Sequence, residues 1–131
     1  MPIIYARDDE SRYVSLTLSG PFDMSEVMEA RRRQQNDGAS GYAVLVDTRG
    51  LTSAAKVSEL SEFIQADMQE RTTRGPVAIV ARDAEVYAMS CAYATMLGSR
   101  HPMQVFIDMD DAMSWLQSKG GCRPPLMRHA G

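Results

Sequence analysis

Apolar and polar positions alternate with two different periods along this chain, and the switches between them mark out nine elements. Ile3, Ile4 and Tyr5 open a short strand, Asp8 to Ser11 make a polar turn, and Val14, Leu16 and Leu18 then alternate with Tyr13, Ser15 and Thr17 as far as Gly20 and Pro21. A period of two marks a strand with one wet face, so the opening reads as a β-hairpin. A helix follows, with Asp23 as N-cap, Glu26 as its capping-box partner and Phe22 set to staple against Val27, and it ends near Asn36 before Gly38. Tyr42 to Val46 is a nearly continuous apolar run that stops at a polar break, Asp47 to Gly50, and Val77 to Ala81 is another, after Gly75 and Pro76. Unbroken apolar strands need cover on both faces, as in a parallel sheet.

Between those two runs, Thr52 or Ser53 is placed to cap a second helix. Its Val57, Leu60, Ile64 and Met68 form one stripe, with Phe63 beside it and Glu59, Glu62 and Asp67 turned outward. Asp83 caps a third helix, and Met103 to Ile107 form a last strand after His101 and Pro102. Asp108 or Asp110 opens a final helix carrying Ala112, Met113, Trp115 and Leu116, closed by Gly120 and Gly121. The order β-β-α-β-α-β-α-β-α predicts one α/β domain on a mixed, mainly parallel five-stranded sheet, its first strand antiparallel at one edge. The domain is expected over residues 1–119, and the glycines, prolines and lone basic residues of 120–131 read as a flexible tail.

The third helix, about 84–98, differs from the others. From Val86 to Ser99 it has no charged side chain. A helix that is apolar all round must bury both sides. Val86, Met89, Tyr93, Met96 and Leu97 are read as the sheet-facing stripe, which leaves Ala84, Tyr87, Ala88, Cys91, Ala94 and Thr95 as a candidate interface. Small residues let helices approach closely and a tyrosine supplies an anchor. The strip is smaller than the ~800 Å² per partner of a standard interface, so the last helix with Trp115, or the loop from Gly98 to His101, is expected to extend it.

Composition narrows the function classes. The chain has 131 residues, 44% hydrophobic and 24% charged, which suits one compact domain. A net charge of -3 argues against a sequence-independent hold on nucleic acid or anionic lipid, both of which need a basic field. The exception, Arg31, Arg32 and Arg33, falls in the last turns of a helix and reads as a solvated helix end. Cys91 and Cys122 have no disulfide or metal spacing, and Cys91, mid-helix among alanines, reads as inert. With no signal-peptide pattern and no apolar run near the ~20 residues needed to span a bilayer, a cytoplasmic location is expected.

Asp47, Asp83 and Asp108 are each expected at the C-terminal end of a parallel strand, the rim where open α/β sheets place ligands. With Arg49 and Arg82 adjacent they form a candidate ligand or ion rim. Capping accounts for Asp83 and Asp108, and pairing with Arg49 accounts for Asp47. No metal and no cofactor is expected. Both histidines lie in awkward places for a general base, His101 before a proline and His129 in the tail, so no enzymatic activity is expected.

Ala43 to Gly50, with its Asp47-Thr48-Arg49-Gly50, the strand from Pro76 to Val80, and the ending Val105, Phe106, Ile107, Asp108 with Ala112, Trp115 and Leu116 resemble the SpoIIAA-like proteins, relatives of the STAS domain. The likeness covers about residues 3–118. It implies a βα-superhelix fold that acts without catalysis, through protein contacts or small apolar ligands. The Asp-Ser pair that carries the phosphoswitch in STAS anti-sigma-factor antagonists is missing: Leu51, Thr52, Ser53, Ala54, Ala55 and Lys56 stand there. Two functions are therefore expected as alternatives. One is an interaction module that self-associates, as a homodimer or with a protein partner, through the uncharged helix. The other is a carrier of a small apolar ligand or lipid, suggested by the ten methionines and by the family's distant likeness to SEC14-type domains, and it needs a cavity of ~300 Å³ or more.

Overall fold

The sheet sets its strands down in chain order, β1-β2-β3-β4-β5. β1 (Ile3–Asp8) is antiparallel to β2 (Tyr13–Gly20), while β3 (Ala43–Leu51), β4 (Val77–Val80) and β5 (Met103–Phe106) run parallel to β2. A computed structural model describes residues 3–54, 56–68, 75–97 and 102–120, leaving aside the side chains of Val57, Phe63, Ala66, Asp67, Met68 and Leu97. The expected loop from Gly98 to His101, Cys122, Gly121 and His129 lie outside the described residues, as do those helix side chains.

Right-handed crossovers that always step the same way across a sheet leave their helices on one face. α1 (Met24–Asn36), α2 (Val57–Met68) and α3 (Ala84–Leu97) accordingly share a face, and α4 (Met109–Gly120), which follows the last strand, packs on the other. Strand pleating sorts the core in two. Tyr13, Ala43, Leu45, Ala78 and Val80 meet Ala112, Met113 and Leu116 of α4, whereas Val14, Val44, Val77 and Ile79 face the three helices. All four residues of β4 are buried because both of its faces are covered. α4 packs mainly on β3, β4 and β5, and meets β2 at Tyr13. On the uncovered side of β2, Ser15 is half-buried and Thr17 exposed, so that strand alternates and β4 does not.

Three elements depart from the sequence reading. β1 runs on to Asp8, whose Oδ1 accepts the N–H groups of Glu10 (3.0 Å) and Ser11 (3.2 Å) to turn the chain. The polar stretch Asp47 to Gly50 is strand, not a break: a register shift in β2 between Thr17 and Ser19 lets Gly50 and Leu51 pair with Ser19 and Gly20. Neither Thr52 nor Ser53 caps α2. The Glu59 carboxylate accepts the N–H of Lys56 at 3.0 Å, and the Ser53 hydroxyl accepts that of Phe22 at 3.1 Å, tying the entries of α1 and α2 together.

The other caps follow the sequence. Asp23 accepts the Ser25 N–H at 3.0 Å, and Gly38 with φ of 73° closes the far end of α1. Asp83 Oδ2 accepts the N–H groups of Glu85 and Val86, both at 3.1 Å, and Asp108 accepts that of Asp110 at 3.1 Å. Among the described residues no helix is long and apolar enough to cross a membrane.

Candidate functional site

Met24, Val27, Arg31 and Gln34 recur every three or four residues along α1, so they fall on one helical face and that face meets the sheet. Between them, Leu60 of α2, Met89, Ser90 and Tyr93 of α3 and the strand residues Leu16, Val46 and Ile79 lies a partly open cavity of about 110 Å³. Its walls are overwhelmingly apolar. The polar side chains among them are Gln34, whose Nε2 donates to the Ala39 carbonyl at 2.9 Å, Thr48, whose hydroxyl donates to the Val80 carbonyl at 2.7 Å, Ser90, which is 3% exposed, Tyr93 and Arg31. Of the described residues that line it, only Arg31 is charged. Its Nε and Nη1 are shut off from solvent.

That burial corrects the reading of the three arginines as one solvated helix end. Arg32 is exposed and pairs with Glu29 one turn back. Arg33 lies over the Tyr5 ring, its Cζ 4.4 Å from the centroid, beside Asp37, which accepts the Tyr5 hydroxyl at 3.1 Å and pairs with Arg7 at 2.8 Å. This group closes the C-terminal end of α1 onto β1. Burial, and then the hydrogen bond to Asp37, hold the Tyr5 phenol above its usual pKa. Arg31 alone points inward. The signal was available in the sequence: Arg31 follows Met24 by seven residues, two turns, and so occupies a core position of the helix.

The rim carboxylates stand where the sequence put them, each already engaged. Asp47 faces Val80, the last residue of β4, and binds Arg49 through both oxygens, Oδ1 to Nε and Oδ2 to Nη2, each 2.9 Å, while Oδ1 also accepts the Arg49 N–H at 3.0 Å. Burial raises the Asp47 carboxyl, but the hydrogen bonds from Arg49 outweigh it and the net pKa lies below the ordinary value. Asp83 and Asp108 are helix caps. Among the described residues no group of three His, Cys, Asp or Glu side chains is arranged to hold a metal ion. The Asp-x-Arg-Gly stretch thus does structural work: Asp47 and Arg49 clasp, Thr48 ties β3 to β4, and a Cβ at Gly50 would stand 2.9 Å from the Leu18 carbonyl oxygen.

α3 divides differently from its expected stripes. Val86 (1% exposed) and Ser90 are buried against the sheet with Met89 and Tyr93 beside them, but Met96 (56%) is exposed. The sheet-facing stripe therefore excludes Met96 and includes Ser90, and the Leu97 side chain lies outside the described residues. Of the interface candidates, Ala84, Ala88 and Thr95 are exposed, whereas Tyr87, Cys91 and Ala94 are half-buried. The Thr95 hydroxyl donates back to the Cys91 carbonyl at 2.8 Å. Trp115 does not extend this strip. It lies on the opposite face of the sheet, 5.8 Å from the Phe106 ring.

No family model and no curated protein matches the chain. Among solved structures it is similar to an uncharacterised protein of the DUF3478 family from Shewanella loihica PV-4, which has a SpoIIAA-like fold. The TM-score is 0.60 at 15% identity, over 87% of this chain and 91% of that one. The fold is SpoIIAA-like. In this SpoIIAA-like chain the order of elements and the mainly parallel sheet agree with the resemblance drawn from residues 3–118, and the likeness shows the fold alone.

Proposed function

We propose that this SpoIIAA-like chain is a non-catalytic binding module that takes a small apolar molecule between its sheet and α1, α2 and α3. The observation that carries the reading is the cavity of about 110 Å³, walled by residues such as Phe22, Val46, Ile79 and Met89. Cavities of ~150 Å³ lined this way admit benzene, and pockets for larger ligands run to ~300 Å³ and above. The occupant is accordingly a compact or short-chain molecule.

Native mass spectrometry of freshly purified protein tests the reading, together with amide chemical shifts on titration with 1-hexanol. A releasable adduct, or saturable shifts confined to residues lining the cavity, supports it. A bare mass together with an unchanged spectrum refutes it.

A second reading, self-association, is favoured by the outward face of α3. Ala84, Ala88, Ala92, Thr95 and Met96 are exposed there and uncharged. Sedimentation equilibrium decides it: a dimer that becomes monomeric in Ala88→Asp is the expected result, and a wild-type monomer at high concentration excludes it.

A further inference from the structure

We infer that the guest of this cavity is an unbranched chain, lying obliquely across the sheet with its polar end at the β1 margin. The inference rests on the proposed binding of a small apolar molecule at the same place, and adds its shape and direction. Ile3 of β1 and Met103 of β5 both wall the cavity, and β2, β3 and β4 each contribute walls between them. Neighbouring strands stand ~4.8 Å apart, so the outermost walls belong to strands roughly 19 Å apart. Their levels along the strands differ as well: Ile3 sits opposite Leu18 near the end of β2, whereas Met103 sits opposite Val77 at the start of β4. A volume of about 110 Å³ that touches all five strands is drawn out into a slot. A rounded space of that size would reach only two or three of them.

The helices follow the same line. α1 packs on β1, α3 packs on β5 and α2 touches both helices, so Val27, Leu60 and Tyr93 roof the slot in that order. A straight chain fills such a space along its length, each buried methylene adding about fourfold to affinity. A branched carbon or a ring of equal volume gathers its bulk at one point and forces packed side chains apart. The direction comes from a second, shallower recess of about 10 Å³ that shares Ile3, Leu18, Val27 and Leu51 with the slot. Ser19 and Asp23 on its other side are exposed, so at this end the slot gives onto polar, hydrated surface. The far walls, Val77 (4% exposed) and Met103, are apolar. A polar head keeps its water at the near end and would lose it at the far one.

1-Hexanol and its branched isomer 3,3-dimethyl-1-butanol share a formula and a hydroxyl and differ only in shape. Both are titrated into the full chain and followed by amide chemical shifts, with 1-butanol as a shorter probe. 1-Hexanol is expected to bind about tenfold or more tightly than the branched isomer, the scale of an overpacked core. 1-Butanol is expected to shift Leu18 and Val27 and to leave Val77 and Met103 in place, and 1-hexanol to shift all four. Equal affinities for the two isomers, or tighter binding of the branched one, overturn the slot while leaving the apolar cavity standing. Shifts of Val77 and Met103 by 1-butanol overturn the direction. An unchanged spectrum with all three probes overturns both this inference and the binding reading on which it rests.

Discussion

Asp47 grips Arg49 through both carboxylate oxygens, each 2.9 Å from a guanidinium nitrogen, at a point where β3 has outrun β4. The side chains are 15% and 36% exposed, so solvent screens the pair only in part. Asp47→Ala is expected to lower stability by about 1 kcal/mol at neutral pH, measured by urea unfolding. The folded carboxyl has a lowered pKa, so its contribution is present above the ordinary carboxylate value and is lost as pH falls through the folded one. The difference between wild type and Asp47→Ala therefore shrinks on acidification. A gap that stayed constant down to about pH 2 would show that the pair does not set it.

Tyr13 gives the opposite limb. Burial under α4, and then the nearby Asp47 charge, push its phenol up to about 12. Folding holds this proton, so the stability it contributes is complete below the unfolded value near 10 and is lost as pH rises from there toward the folded value. Tyr13→Phe is expected to flatten that alkaline loss. At neutral pH it costs no more than about 1 kcal/mol, since among the described residues the hydroxyl bonds only the Met113 sulfur, at 3.9 Å. Phenolate absorbance against pH, alongside thermal melts of both proteins, checks this.

Gly75 leads into β4 where a Cβ would press on the carbonyl oxygens of Gly41 and Tyr42, which are backbone atoms without room to move. Gly38 has only its positive φ to protect, with open space around it. Gly75→Ala is expected to cost about 2 kcal/mol or more, and Gly38→Ala about 1 kcal/mol. Paired denaturant titrations give the ranking, and the reverse order would show that the approach of Gly75 to the Gly41 and Tyr42 carbonyls is not close.

Asp83 serves two N–H groups at the start of α3. Asp83→Ala is expected to cost about 1 kcal/mol and Asp83→Asn much less, because asparagine caps nearly as well. If both variants lost the same amount, the charge and not the cap would be the source.

The fold was legible because periodicity reports burial directly. β3 and β4 read as doubly covered strands, and Asp23, Asp83 and Asp108 announced three helix starts. Where one signal had two explanations, the reading failed. Asp47 to Gly50 looked like a turn, since sequence cannot show that a polar side chain is tied to its neighbour two residues on, nor that β2 shifts register to keep pairing. Ser53 looked like a cap, yet its hydroxyl serves Phe22, which is 31 residues away. Arg31 was hidden by its neighbours: a run of three arginines suggests one solvated end, and helical phase sends Arg32 and Arg33 outward and Arg31 inward. The cavity had no sequence signature, because it is a mismatch of volumes among side chains from eight elements.

Because every crossover steps the same way, the sheet separates two hydrophobic layers that share no side chain. The layer beneath α4 can keep its strands in register while the opposite flank loosens. Admission of a guest under the three helices can then be a one-sided event, with the backbone of β3 and β4 as a fixed floor.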